Sequence, residues 1–496
     1  MKLSDLSQIK KVNKFNLFKF GVFLLVLYFT FVLRAHNFDR TPGPGHLEEM
    51  AYAWSGIYLI ETGVPVSWST LDYPKKAEVY KGRVTSQGGG EPYQYVTLQK
   101  PWLDQPPLFS LIVGAFGHFY KADRTQIIPP AYIRTPTVFI ALLTAVLVFL
   151  IARFLSGFWI GILSMLFYGT IPILVIASRM AVPENLIAVV FLTVILLILN
   201  FQKNPKFLWL LPIPFLVGIA GLSKPTGFLI LPLVLYFAFC QKFYKSVVYL
   251  ILATIPFVVF FFAWGFHFDK EIFLHITSIQ SLRPVGFSSL AWFFTSPAYD
   301  VNIFLDSWYV FGLLAAVYFI FKPEEGLKKI VSFAFVYWLI IVMISGGEGD
   351  LLPWYRFPAF PLLAIFIAWG VKLLVEKANF FTTFLAAGFL LGNRHLLVNA
   401  FRPNISPLLY RVTLGSLLFP SLVRTVFEKK FIERLSRLVI IGIVVVGVYF
   451  NVIYIYNNFE LECESKSCPF NPSTSLASIH FPIVWRFFVL GEPKYK

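Results

Sequence analysis

Thirteen apolar runs, each close to the length of a bilayer crossing, dominate this sequence. They lie near 17–33, 132–152, 159–178, 184–201, 207–222, 226–241, 246–266, 304–321, 330–346, 353–375, 380–397, 408–427 and 438–456. A membrane helix needs about 20 mostly apolar residues, so roughly half of the chain is committed to lipid. Composition agrees: 57% of the 496 residues are hydrophobic and only 14% are charged, whereas a water-facing surface needs roughly 25–35% charge. A soluble globular enzyme is excluded, and so is a disordered chain, which needs low hydrophobicity. The expected fold is an all-α polytopic membrane protein with about 13 transmembrane helices. The runs at 380–397 and 408–427 are the least apolar, carrying Arg394, His395 and Arg411. Residues 107–120 are apolar but short, which suits a re-entrant or interfacial segment.

The net charge of +16 does not make this a nucleic-acid binder. Such proteins cluster Lys and Arg on one face, whereas here the basic residues punctuate apolar runs singly and in pairs, as topology signals do. Lys10, Lys11, Lys14 and Lys19 precede the first run. No small-residue cleavage site follows it, so it reads as an uncleaved first membrane helix. With the amino terminus inside, the loops at 202–206, 241–245, 322–329, 371–379 and 428–437 face the cytoplasm, and each holds at least two Lys or Arg. The positive-inside rule is then satisfied throughout. One very large outer loop remains at about 34–131, a second at about 267–303, and a tail at 457–496. The first loop is rich in Trp and Tyr, holds nine acidic residues and contains Gly-Gly-Gly at 88–90. A long loop is functional or disordered, and this aromatic content favours a folded one. The division expected is a module at 1–375 that includes the loop, additional helices at 376–456, and an extracytoplasmic tail.

Ionisable groups near membrane spans are costly and often functional. Here they gather at the outer helix ends. Glu48 and Glu49 follow Thr-Pro-Gly-Pro-Gly at 41–45 and open a helix-compatible run, Leu47 to Glu61. Carboxylates in a first turn are favoured by the helix dipole, and either could also serve as a general base. Adjacent residues do not share a helix face, so one of the pair faces a cavity, and the sequence leaves open which. Glu184 follows Pro183 after Ser178-Arg179-Met180, placing both signs of charge at one membrane edge. Lys224 lies between two spans, either snorkelling or offering a cation to a lipid phosphate. Arg134 and Arg356 are candidates of the same kind. Walker, His-Glu-x-x-His and Gly-x-Ser-x-Gly motifs are absent from the sequence. His46 and Glu49 are spaced to share a metal, although such a lone pair is more often structural, so the need for a divalent metal stays open. Cys463 and Cys468 could pair where the compartment is oxidising.

Taken in order, these segments resemble the GT-C superfamily of membrane glycosyltransferases, in the branch of the protein O-mannosyltransferases and the aminoarabinose transferases of lipid A. The similarity spans roughly residues 17–375. The family's outer-loop Asp-Glu pair is matched by Glu48-Glu49 within Gly45–Tyr52. Its Lys-Pro-Pro-Leu is matched by Gln105-Pro106-Pro107-Leu108, and its Arg-Leu-Pro-like helix start by Arg134-Thr135-Pro136. Its Arg and acid at a helix start are matched by Arg179 and Glu184, and its Gly-Leu-x-x-Lys by Gly221–Lys224. Its late Tyr-x-x-Pro-x-x-Pro is matched by Tyr355–Pro361. Two departures stand out: Glu48 replaces the usual Asp, and Gln105 replaces Lys.

The resemblance implies inverting transfer of a sugar from a polyprenyl-phosphate donor to an acceptor hydroxyl on a protein, lipid or glycan. The reaction would occur on the extracytoplasmic face of the plasma membrane. Glu48, by correspondence with the family's base, or else Glu49 takes the acceptor proton. Lys224 meets the leaving phosphate, with Arg134, Arg179 and the Tyr355-Arg356 segment beside it. Glu184 orients the acceptor or a cation, or holds Arg179. The rival readings are a transporter or lipid flippase, in which prolines 172, 212, 214, 232 and 256 would break helices at mid-depth, and a non-catalytic assembly subunit.

Overall fold

The computed structural model describes residues 3–39, 41–42, 47–85, 93–283, 285–286, 307–322, 326–345, 353–391, 406–427 and 429–457. His46, the Gly-Gly-Gly turn, Arg394, His395, Cys463, Cys468 and the tail lie outside the described residues.

The chain is a polytopic helical membrane protein. Among the described residues seven helical stretches are long and apolar enough to cross a bilayer: Asn16–Ala35, Pro130–Ser156, Pro183–Lys203, Tyr244–Ser281, Lys328–Ser345, Trp354–Glu376 and Lys430–Tyr456. In chain order the helices are α1 (Leu3–Ala35), α2 (Leu47–Thr62), α3 (Pro107–Phe119), α4 (Pro130–Ser156), α5 (Phe158–Thr170) and α6 (Pro172–Ala177). They continue as α7 (Pro183–Lys203), α8 (Ile213–Ser223), α9 (Ile230–Cys240), α10 (Tyr244–Ser281), α11 (Ser307–Phe321) and α12 (Lys328–Ser345). The last four are α13 (Phe360–Glu376), α14 (Phe380–Ala386), α15 (Pro407–Val426) and α16 (Lys430–Asn457).

Several expected spans are subdivided, and proline is the common cause. The run at 159–178 becomes α5 and α6 because Pro172 lacks the amide that would continue the helix, yet suits the first position of the next. Pro212 does the same ahead of α8, and Pro225 ends α8 where the expected spans already part. Gly157, at φ +89°, lets α4 stop and α5 start after one residue, a backbone conformation that L side chains rarely adopt. Within the spans, hydroxyls are satisfied locally: Thr144, Ser164, Thr170, Thr193 and Thr254 each donate to the carbonyl four residues earlier. Lipid offers no partner, so this local bonding is what makes such residues tolerable. α7 and α13 form the centre, with 72% and 83% of their most apolar windows buried, against 11% for α1 and 17% for α10. The outer helices present the remaining apolar surface to lipid.

The large first loop is folded, as its aromatic content suggests, but it is not wholly helical. It carries β1 (Ser67–Trp68), β2 (Glu78–Thr85) and β3 (Tyr93–Gln99), an antiparallel sheet of order β1-β3-β2 in which Ser67 opposes Gln99 and Lys81 opposes Thr97. α3, the short apolar segment, packs along α2. The two helices meet at glycine: a Cβ on Gly56 would lie 1.8 Å from the Ser110 carbonyl oxygen, and one on Gly114 2.5 Å from the Gly56 Cα.

The stretch expected as a second loop from about residue 267 begins as helix, to Ser281. α10 breaks at Asp269 (φ −163°, ψ 107°) and resumes, because the Asp269 carboxylate accepts from the Ile272 amide at 2.9 Å and caps the new segment. That segment packs Ile272, Phe273 and Ile276 against Tyr73, Ala77 and Leu103 of the first loop. Lys76 bridges to Glu271 at 3.2 Å and His275 to the Asp72 carbonyl at 2.9 Å. One long helix thereby ties the membrane bundle to the loop above it.

Candidate active site

The path from α1 to α2 is held from below by two buried arginines. Arg179, just before α7, donates to the carbonyls of Leu33, His36 and Thr41 at 2.6, 2.7 and 3.0 Å. Arg134, in the first turns of α4, donates to Phe38 and Pro42 at 2.9 and 2.8 Å. Its other nitrogens grip Glu49 in a fork, Nε–Oε1 2.8 Å and Nη2–Oε2 2.5 Å, and the Ala181 amide adds 2.7 Å to Oε1. A planar guanidinium matches a carboxylate in this way. Both partners are buried, with side-chain exposures of 0 and 1%. Glu49 is therefore fully engaged in the frame. Arg134 and Arg179, expected beside a lipid phosphate, are instead turned inward onto backbone and Glu49. A third arginine, Arg34, is buried in the same region, donating to Ser178 Oγ and the Tyr168 carbonyl.

Glu48 projects from the other face of the same first turn. It lines a cavity of about 290 Å³ together with Trp68, Trp102, Asp104, Gln105, Lys224, Arg283, Trp354 and Tyr355. Tyr52, one turn on, donates to Glu48 Oε1 at 3.2 Å. Burial pushes the Glu48 carboxyl up to about 7. Lys224 and the Tyr52 hydrogen bond pull it down, and Glu184 and Asp104 add to the rise.

Lys224 is placed by a helix end. α8 stops there because Pro225 follows, and the lysine leaves the helical path at φ −159°. Its ammonium meets Glu184 Oε1 at 2.5 Å and lies 4.0 Å from the centre of the Tyr355 ring. Burial alone would depress Lys224, but Glu184 and Glu48 beside it outweigh that and hold it protonated, above its ordinary range. Glu184 sits in the first turn of α7, where the helix dipole favours its charge, and its Oε2 is buried without a hydrogen-bond partner. Tyr355 lies in a 3₁₀ segment, Pro353–Ala359. The Trp338 indole fixes its carbonyl at 3.0 Å, and Arg283 donates to its hydroxyl at 3.1 Å. Arg356, its neighbour, is fully buried and does not line the cavity; its electrostatic neighbour is Tyr309.

Two charged residues of the cavity, Asp104 and Arg283, were not singled out from the sequence. Asp104 precedes the Gln-Pro-Pro motif and accepts from Ser69 Oγ at 2.5 Å and Tyr73 OH at 2.7 Å, while its carbonyl accepts from Gln280 at 2.9 Å. Burial pushes it up to about 6 against those hydrogen bonds and the charge of Arg283. Arg283 follows the end of α10, beyond the Asp269 break, and lines the cavity. The position of Asp104 directly before the quoted motif was the available signal for it, and Arg283 had none. Among the described residues no group of three or more His, Cys, Asp or Glu is placed to hold a metal.

The cavity brings charges of both signs together. Lys224 and Arg283 both meet Tyr355, Glu48 and Asp104 line the same space, and the indoles of Trp68, Trp102 and Trp354 wall it. Such a site can take a proton at Glu48 while receiving negative charge at Lys224.

The family model described as dolichyl-phosphate-mannose-protein mannosyltransferase matches residues 104–264. Among solved structures, ArnT from Cupriavidus metallidurans bound to undecaprenyl phosphate is similar at 15% identity and TM-score 0.51, covering 88% of this chain and 76% of that one. Its apo state gives 14% and 0.51, with 90% and 78% covered. The archaeal oligosaccharyltransferase AglB from Archaeoglobus fulgidus, in complex with an inhibitory peptide and a dolichol-phosphate, gives 11% and 0.49, with 90% and 56% covered. No curated protein matches the chain. The fold is thus that of the ArnT structures, and the resemblance to GT-C glycosyltransferases of the O-mannosyltransferase and ArnT branch stands on the family match as well.

Proposed function

We propose that this protein is a membrane glycosyltransferase that moves a sugar from a polyprenyl-phosphate donor to an acceptor hydroxyl, with inversion, in the Glu48 cavity. The observation that carries the reading is the division of labour between adjacent carboxylates. Glu49 is consumed by Arg134, whereas Glu48 faces a cavity opposite a buried ammonium. The family match and the ArnT fold support the donor class: one ArnT structure is bound to undecaprenyl phosphate.

In this reading Glu48 takes the proton of the acceptor hydroxyl as its oxygen attacks the anomeric carbon. The bond from that carbon to the phosphate oxygen breaks, and the polyprenyl phosphate leaves with the electron pair. One displacement inverts the anomeric centre. Lys224 and Arg283 stand where the leaving phosphate gains charge, and stabilisation of this kind is often the largest catalytic contribution. Glu184 holds Lys224 in place and protonated. The indoles of Trp68, Trp102 and Trp354 exclude water and present apolar faces to the sugar. The basic connections opposite the large loop support a cavity on the extracytoplasmic side of the plasma membrane. Residues 1–375 act as the catalytic module, and the helices from 376 on are additions to it.

The test uses the full-length protein in lipid with a panel of radiolabelled undecaprenyl-phosphate sugars and extracted membrane acceptors. The expected result is turnover of one donor by the wild type and loss of about 10²–10⁴-fold in Glu48→Gln. Turnover that survives Glu48→Gln would remove the base assignment. No turnover of any donor, with lipid scrambling in vesicles instead, would favour the flippase.

A further inference from the structure

Gln105 lines the Glu48 cavity and plays no part in the chemistry proposed above. Its place is set by proline. It precedes Pro106, which favours an extended backbone at Gln105. Pro106 (φ −61°, ψ 161°) caps α3, and Pro107 is the first residue of that helix. The two prolines have fixed φ, so the side chain is presented from a stiff stretch of chain. Its Oε1 is buried and has no hydrogen-bond partner.

The charged groups around it are engaged within the protein. Lys224 meets Glu184, Arg283 donates to Tyr355, Glu48 accepts from Tyr52, and Asp104 accepts from Ser69 and Tyr73. A buried polar atom left unmet is costly, and one at the wall of a binding cavity calls for a partner that arrives with the ligand. A half-turn of the amide exchanges its oxygen and its NH₂, so it can offer an acceptor or a donor to the space. Being neutral, it adds no charge to stabilise a leaving phosphate. A sugar hydroxyl, itself both donor and acceptor, is its chemical match.

We propose that Gln105 is a specificity-determining residue that hydrogen-bonds one hydroxyl of the transferred sugar. The donor is then a sugar whose hydroxyl at that position is free, neither deoxygenated nor acylated. A site that leaves its own polar group unpaired with the wrong substrate rejects that substrate strongly. The inference rests on the glycosyl-transfer reading of the cavity, but not on which carboxylate is the base.

The test offers the full-length protein in lipid undecaprenyl-phosphate glucose, mannose and galactose, and then the preferred donor deoxygenated at each hydroxyl in turn. Wild type and Gln105→Met are compared. One deoxygenated donor should lose about 10–10²-fold in kcat/KM with the wild type. Gln105→Met should lose the same with the parent donor, and the two losses should not add. A purely structural role would lower every donor alike, so equal losses across the series, or additive ones, overturn the proposal. Gln105→Asn keeps the amide but draws it back by one methylene, and gives a second variant with the same expectation if the first misfolds. Native mass spectrometry reads the contact without turnover: Gln105→Met should weaken retention of the sugar-bearing lipid relative to bare undecaprenyl phosphate. Weaker retention of the bare lipid as well would make Gln105 a phosphate ligand and overturn the proposal, as would a wild type that retains no sugar-bearing lipid above the bare one. Turnover that survives Glu48→Gln removes the base assignment alone and leaves the Gln105 comparison readable.

Discussion

Glu48 and Glu49 show how two neighbours of one residue type acquire opposite roles. Their separation by about 100° around α2 was legible in the sequence, since consecutive residues cannot share a helix face. Which one faced inward was not, because that depends on where Arg134, 85 residues away, arrives in space. Glu49→Gln should therefore act on stability rather than on chemistry. Breaking a buried pair from one side typically costs about 3–5 kcal/mol, which thermal unfolding in detergent would register. As the base, Glu48 must be ionised, so kcat/KM should rise with pH through about 7 and level off above it; a profile already flat from pH 5 would contradict the assignment. The same raised values act on stability with the opposite sign. Between their ordinary values of 4.5 and 3.8 and the folded values of about 7 and 6, Glu48 and Asp104 bind protons that the unfolded chain releases. Their stabilising contribution is present at low pH and is lost as pH rises through that window, and Glu48→Gln with Asp104→Asn should flatten the slope. The Lys224–Glu184 pair gives a further prediction. Lys224→Met and Glu184→Leu should each destabilise strongly, while the double variant recovers much of the loss, because each single change strands a buried charge.

Among the elements, hydropathy located the apolar segments, and proline is where several of them divide. Pro172 and Pro212 were visible in the sequence as breakers, yet the expected spans ran past both. An apolar run is the same to lipid whether it is one helix or two, so hydropathy alone does not see the break. The Asp269 break escaped notice for a related reason, since an Asp near a helix end reads equally well as the start of a loop. The α2–α3 pair depends on close backbone approach at Gly56 and Gly114. Gly56→Ala places a Cβ against the Ser110 carbonyl, with backbone rather than a flexible side chain in the way. It should force the helices apart at a cost of roughly 1–3 kcal/mol, lowering the melting temperature. Because α2 carries Glu48, turnover should fall as well, and an alanine variant with unchanged melting and turnover would show that the two helices separate more easily than they are packed here.

For the whole molecule, the expected topology places the large loop and the basic connections on opposite sides of the membrane. With Cys463 and Cys468 replaced by Ser, a membrane-impermeant maleimide added to intact cells should label Lys121→Cys in the loop. It should reach Cys240, which is exposed at the end of α9, only after permeabilisation. The reverse pattern would invert the orientation. The sequence by itself determined that this chain lives in a membrane, where its helices lie, which connections are basic, and which small set of charged residues lipid could not tolerate without a purpose. These follow from transfer energies and local periodicity, and both are properties of short segments. Tertiary structure alone decided that Arg134 and Arg179 clamp backbone while Lys224 meets the cavity, that Asp104 and Arg283 join it, and that the first loop pairs strands above the bundle. Each of those outcomes depends on groups far apart in the chain arriving at one place, and a buried charge takes its role from the partners that meet it there.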